Sequence, residues 1–264
     1  MKNKLNKILT FIFPKISDIL WVAPFIMTVV QGRGMMNQDG DLGFHLTLGR
    51  YILDQGKIPL NDLFSHTMPG KPVIQHEWLS GVIFAIIERI FGFEGLILLC
   101  ALLIATTFWL VLKLVKAKTE NLIISVLVIL LTIMTSMVHW LARPHLFSFL
   151  LLALWMMVMK QMTEGKLKRW WMLPVLMLIW TNLHGGFIIG FLTWFIYGLG
   201  LGWDALQKDI TIKKRLPLKF WYYFILGGIS SFIVSLINPS GFGLWKKVVT
   251  HIGNKYLNDH TLEF

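Results

Sequence analysis

Long apolar runs separated by short polar segments dominate the chain, and the lengths of those runs predict its elements. Residues 16–30, 93–115, 122–140, 145–159, 170–182, 187–203 and 220–237 read as helices that cross a bilayer. Several of these runs hold only 13 to 18 residues. About 20 would cover a hydrocarbon core, so kinks, local thinning or partly re-entrant segments are expected. The run at 78–91 is apolar too, but it carries Glu88 and Arg89 close to its end and reads as an interfacial helix. Residues 45–53 have a helical face, and 244–256 look amphipathic. The expected fold is therefore all-α: a polytopic transmembrane helix bundle of about seven spans in a single domain, 1–264. Its long first outer loop, about 31–91, contains the interfacial helix.

Composition agrees with the pattern, since 55% hydrophobic and 15% charged residues, with 12 Trp and 19 Phe, exclude an ordinary soluble domain. The formal charge of +11 does not point to nucleic acid, because the 25 Lys and Arg are scattered in short clusters between apolar runs. The lone Cys100 lies within an apolar run, which excludes a disulfide framework or thiolate metal site. Lys2, Lys4 and Lys7 before an apolar run suggest a secretory leader, but Pro14, Lys15 and Asp18 interrupt it and no small-x-small site follows Val30. A retained first span is the better reading.

The basic clusters set an orientation. If 78–91 does not cross, 16 of the 25 basic residues fall inside, in the N-terminus, at 113–118, at 160–169 and at 208–219. A full crossing there would put the 12 basic residues of the last three groups outside. The N-terminus is accordingly cytoplasmic. All eight histidines and the Asp39-Gly40-Asp41 triplet then face the extracytoplasmic side.

The outer segments hold the candidate chemistry. Asp39 and Asp41 can ligate a hard cation such as Mg²⁺ or Mn²⁺, or one can act as a general base on a hydroxyl; the plain alternative is an Asp-Gly turn. Glu77 precedes Trp78 as a first-turn acid favoured by the helix dipole, or as a second catalytic or metal-binding carboxylate. His66 and His76 read as hydrogen-bonded loop residues. Arg143, followed by Pro144 at a span end, needs an anionic partner: lipid headgroups by snorkelling, or a phosphate that its planar guanidinium grips in a bidentate way. The stretch Trp180-Thr181-Asn182-Leu183-His184-Gly185-Gly186 joins two short apolar segments. It is either a tight hairpin or a broken helix whose glycines let a ligand approach the backbone.

Asp-x-Asp directly after the first span, a long first outer loop with an interfacial helix, Arg-Pro after a later span and Trp-x-Asn-x-His-Gly-Gly together resemble the GT-C class of polytopic glycosyltransferases. The pattern extends over most of the chain, although each motif is short. The resemblance implies an enzyme that moves a sugar from a polyprenyl-phosphate or polyprenyl-diphosphate carrier to an acceptor outside the membrane. It implies Asp39 or Asp41 as base or metal ligand, and Arg143 with His184 on the departing lipid phosphate. His45, Asn182 and Glu77 would shape the sugar site, and a groove between spans would take the prenyl tail. Members of the class carry further spans or a soluble domain, so the resemblance also implies that 1–264 is the N-terminal part of a longer protein. A lipid or anion transporter, or a noncatalytic assembly protein for envelope polysaccharide, remains an alternative; a transporter would place its ionisable groups nearer mid-span.

Overall fold

The computed structural model describes residues 15–37, 40–206 and 216–252, without side-chain detail at 37, 251 and 252. Asp39, His260 and the basic residues at 2–7 and 208–215 lie outside the described residues. The helices are α1 (Ile16–Asn37), α2 (Asp41–Gln55), α3 (Trp78–Lys116), α4 (Leu122–Ser136), α5 (His145–Thr163), α6 (Met172–Leu183), α7 (Ile188–Leu206), α8 (Leu218–Ser235) and α9 (Phe242–Ile252). The fold is all-α; among the described residues the only β pairing is an isolated bridge between Asn61 and Pro72. Among the described residues, six helices are long and apolar enough to cross a membrane: Ile16–Met36, Trp78–Lys116, Leu122–His139, His145–Thr163, Gly185–Leu206 and Leu218–Ser235. The chain is a multi-pass membrane protein.

Local signals explain several boundaries. Asn121 opens α4 by accepting from the N–H groups of Ile123 and Ile124 at 2.9 and 3.2 Å, which satisfies two donors the helix start leaves over. Gly92 sits within α3 at φ 67 and ψ −166, a backbone state that only glycine enters without strain. It divides α3 where the sequence pattern separates the 78–91 run from the span that follows. Helix α1 continues past Val30 through Gln31 and Arg33, because Met35 on its next turn is buried at 3% exposure. Packing there overrides the polar sequence signal.

The chain divides into two compact units that interleave along the sequence: Met1–Phe44 with Ile86–Met157, and His45–Ala85 with Val158–Phe264. In the first unit, Phe108 packs on Trp140 with ring centroids 5.7 Å apart. Helix α4 turns a narrow stripe of Ser125, Ile129 and Ile133 inward and leaves its other faces exposed.

The second unit is built around α6, whose Leu173, Met177 and Trp180 are fully buried. At 12 residues α6 falls short of a span, but the 3-10 turn Leu167–Trp171 leads directly into it. The two together run beside α8. Trp170 stacks on Tyr223, Leu173 fills the notch at Gly227, and the Asn182 amide reaches the Ile237 carbonyl at 2.9 Å. Helix α2 crosses the start of α3 at backbone contact, so that a Cβ on Gly49 would lie 2.0 Å from the Gly81 carbonyl oxygen. Replacing Gly49 with Ala should therefore lower the thermal midpoint of the purified protein, by an amount equivalent to roughly 1–3 kcal/mol. Gly43→Ala, where a new Cβ meets nothing within 4 Å, should leave the midpoint unchanged or slightly raised in the same thermal-shift assay.

Candidate functional site

Among the described residues two polar clusters form, one in each unit. In the first unit, Asp41 opens α2 while Arg143 lies in the connection before α5. The Arg143 guanidinium approaches the Asp41 carboxylate at 3.1 Å, with 22% and 62% of the two side chains exposed. The Arg143 N–H donates to the Leu141 carbonyl at 2.8 Å, which ties the pair to a neighbouring groove. That groove has a volume of about 540 Å³ and is lined on one side by α1, at Val30, Gln31, Gly34 and Met35. Its other wall is Met137, Val138, Trp140 and Leu141. Methionines and branched apolar chains make most of this lining, so it suits a flexible hydrocarbon better than a polar ligand.

The second cluster centres on Glu77, which sits immediately before α3 with a side chain 17% exposed. Three imidazoles place their Nε2 atoms near its oxygens: His45 from α2 at 3.6 Å, His76 at 3.6 Å and His184 at 3.4 Å. These distances suit electrostatic contact and exceed a normal hydrogen bond. The outer nitrogens fix two tautomers. The Gly186 N–H donates to His184 Nδ1 at 2.9 Å, and Lys247 Nζ, which has no lone pair when charged, lies 3.0 Å from His76 Nδ1. The His184 ring, when neutral, therefore carries its proton on Nε2, the atom facing Glu77, and His76 does the same while Lys247 is charged. Lys247 also donates to the Ile74 carbonyl at 2.9 Å. Burial pulls the Lys247 ammonium below its ordinary pKa, and the Glu77 charge opposes that shift.

Asn182 lies at the same end of α6 and acts as a bracket. Its Oδ1 accepts from Trp78 Nε1 at 2.9 Å, while its Nδ2 donates to the Leu178 and Ile237 carbonyls, each at 2.9 Å. The buried Ser80 hydroxyl donates to the Leu183 carbonyl at 2.6 Å. These bonds lock the turn carrying His184 onto the start of α3.

Of the residues singled out in the sequence, the structure joins Asp41 to Arg143 in one unit. In the other it gathers His45, Glu77 and His184, with Asn182 beside them. Asp39 lies outside the described residues. The exposed His66 is elsewhere, in the connection between α2 and α3. Among the described residues no group of three or more His, Cys, Asp or Glu is arranged to hold a metal ion, and the Asp41 carboxylate faces a cation. Lys247 was not foreseen. Its signal was present, because Leu244 and Val248 are the buried stripe of α9 and position 247 shares their face. Comparison of the chain with protein families, curated proteins and solved structures finds no match.

Two measurements check this geometry. Asn182→Ala should cost roughly 1–3 kcal/mol of stability, because it strands a part-buried indole N–H and a carbonyl; urea or thermal unfolding in detergent reads it. Lys247 has a folded pKa below its unfolded one, so the unfolded state holds more protons between the two values. Stability should rise with pH across the alkaline window that ends near the ordinary 10.5, and Lys247→Met should flatten that rise relative to the parent.

Proposed function

We propose that the chain is a membrane glycosyltransferase that takes a sugar from a polyprenyl-phosphate or polyprenyl-diphosphate carrier and hands it to an acceptor at the extracytoplasmic face. The observation that carries this reading is the Asp41–Arg143 pair at 3.1 Å, set beside an apolar groove. A lipid-linked phosphate needs a cation next to a hydrocarbon channel, and an acceptor hydroxyl needs a carboxylate base near the same place. The two needs are coupled in this pair. An arriving phosphate competes for the Arg143 guanidinium and releases the Asp41 carboxylate. The acceptor oxygen then bonds to the anomeric carbon as the bond from that carbon to the phosphate oxygen breaks. Asp41 takes the hydroxyl proton, the bonding pair leaves with the lipid phosphate, and Arg143 holds the resulting anion.

The resemblance puts His45, Glu77 and Asn182 at the sugar and His184 at the lipid phosphate; the Asn182 amide is taken up by Trp78, Leu178 and Ile237, so it positions the turn rather than a ligand. His76 and His184 are the most exposed imidazoles of that cluster, at 32% and 24%.

Seven spans with a cytoplasmic N-terminus complete the reading. The course of α6 alongside α8 supports counting it as a crossing. Within the second unit, segments expected on the outer side converge on Glu77: the end of the long loop, the His184 turn and the segment after α8. Within the first unit, the residues after α1 and those around Arg143 meet as well.

The protein reconstituted in liposomes with polyprenyl-phosphate and polyprenyl-diphosphate sugars, together with hydroxyl-bearing acceptors, should release the lipid phosphate as the sugar passes to the acceptor. Asp41→Asn and Arg143→Gln should each lower that release by about 100-fold or more while the protein remains folded. Undiminished release in both variants rejects the assignment. Movement of the intact lipid between leaflets without any release makes the chain a flippase.

A further inference from the structure

Between α2 and α3, residues 57–72 form a hairpin whose tip leaves apolar side chains uncovered. Leu60 is 62% exposed, Leu63 49% and Met68 51%, and Phe64 rests one edge on Tyr51. Leaving three large apolar side chains of one short loop in water costs free energy that burial would recover. Several backbone donors of this tip are satisfied from within. Asp62 Oδ1 accepts from the N–H groups of Phe64 and Ser65 at 3.0 and 2.8 Å, and the Ser65 hydroxyl accepts from Met68 at 3.2 Å. The Gly70 N–H donates to the Asp62 carbonyl at 2.8 Å, and the Asp62 N–H to that of Lys71 at 2.8 Å. Pro69 and Pro72 bring no N–H at all. Donors paired in this way add little desolvation penalty when a loop enters the headgroup region, where lipid and water oxygens meet the remaining N–H groups.

The charges on the hairpin select the partner. Lys57 and Lys71 are exposed at its two sides, and the lone carboxylate of 57–72, Asp62, is turned onto backbone N–H groups. We propose that this hairpin is a membrane-interface anchor: Leu60, Leu63 and Met68 enter the headgroup and upper acyl region of the leaflet, and Lys57 and Lys71 pair with anionic headgroups. Apolar side chains with flanking lysines suit that boundary, where the hydrocarbon takes the former and lipid phosphates take the latter. The placement fits the fold. His76 and Glu77, just beyond the hairpin, lie beside the ends of α6 and α8, so the hairpin leaves the protein at the level where apolar helices finish. The inference does not depend on the proposed enzymatic activity.

The single native cysteine, Cys100, is fully buried at 0% exposure, so cysteines introduced at the surface can be labelled selectively, with the parent chain as blank. Leu63→Cys and Met68→Cys, labelled with an environment-sensitive fluorophore and reconstituted in liposomes containing phosphatidylglycerol, should show blue-shifted emission. That emission should lose intensity when lipids spin-labelled near the headgroup are included. Gln55→Cys, at the exposed end of α2, should show neither effect. Replacing both Lys57 and Lys71 with Gln should weaken the quenching at position 63 in anionic liposomes and leave it unchanged in purely zwitterionic ones. Water-like, unquenched emission at 63 and 68 overturns the proposal. So does shielding of those sites in native membranes but not in liposomes, which would assign the hairpin to a protein partner.

Discussion

The carbonyl groups at the end of α6 need donors in a place that apolar side chains keep dry. A helix end leaves its last carbonyls unpaired, and burial without partners costs kilocalories per group. The Ser80 hydroxyl meets the Leu183 carbonyl, the Asn182 amide turns back to Leu178 and across to Ile237, and the His184 N–H closes on Trp180. These bonds fix the turn after α6 against both α3 and α8. The position of His184 beside Glu77 follows from them, and so does the order of the polar cluster. A rigid polar site at the end of a helix bundle is here a consequence of satisfying backbone groups with side chains from neighbouring elements.

The two clusters handle charge in different ways. Asp41 and Arg143 are partly open to solvent and form a simple pair, whose attraction is screened and readily exchanged for another anion. Glu77 is more enclosed. Of the three imidazoles around it, His184 is held from behind by a backbone N–H and His76 by Lys247, so much of its surroundings is in place before any ligand arrives. The first arrangement suits a step in which partners change. The second suits recognition that should not move.

Much of the architecture was legible in the sequence because apolar run length is a direct consequence of bilayer thickness. The separation of 78–91 from the span after it is carried by Gly92, and the start of α4 by Asn121, both local signals. What could not be read were effects that depend on packing between distant segments. Gln31 and Arg33 look like loop, yet α1 continues because Met35 is buried. Asn182 looks like a ligand-facing amide, yet its hydrogen bonds end on Trp78, Leu178 and Ile237. The need of Arg143 for an anion was foreseeable from its position, while the choice of Asp41 depended on how the first unit folds. Lys247 lay hidden because a basic residue on an amphipathic helix reads as its wet face unless the stripe of Leu244 and Val248 is traced.

Helix α4 has a consequence for the lipid around it. Its inward stripe is thin, and Ile123, Leu131, Met134 and Val138 are 61–72% exposed. Acyl chains must solvate most of its circumference. With the 3-10 turn that follows, the segment Leu122–His139 has 18 residues and a length of about 28 Å, marginally less than an average hydrocarbon slab. A helix held by so little protein contact adjusts to a thicker bilayer by pinching the lipid around it, and the elastic penalty grows with each added ångström.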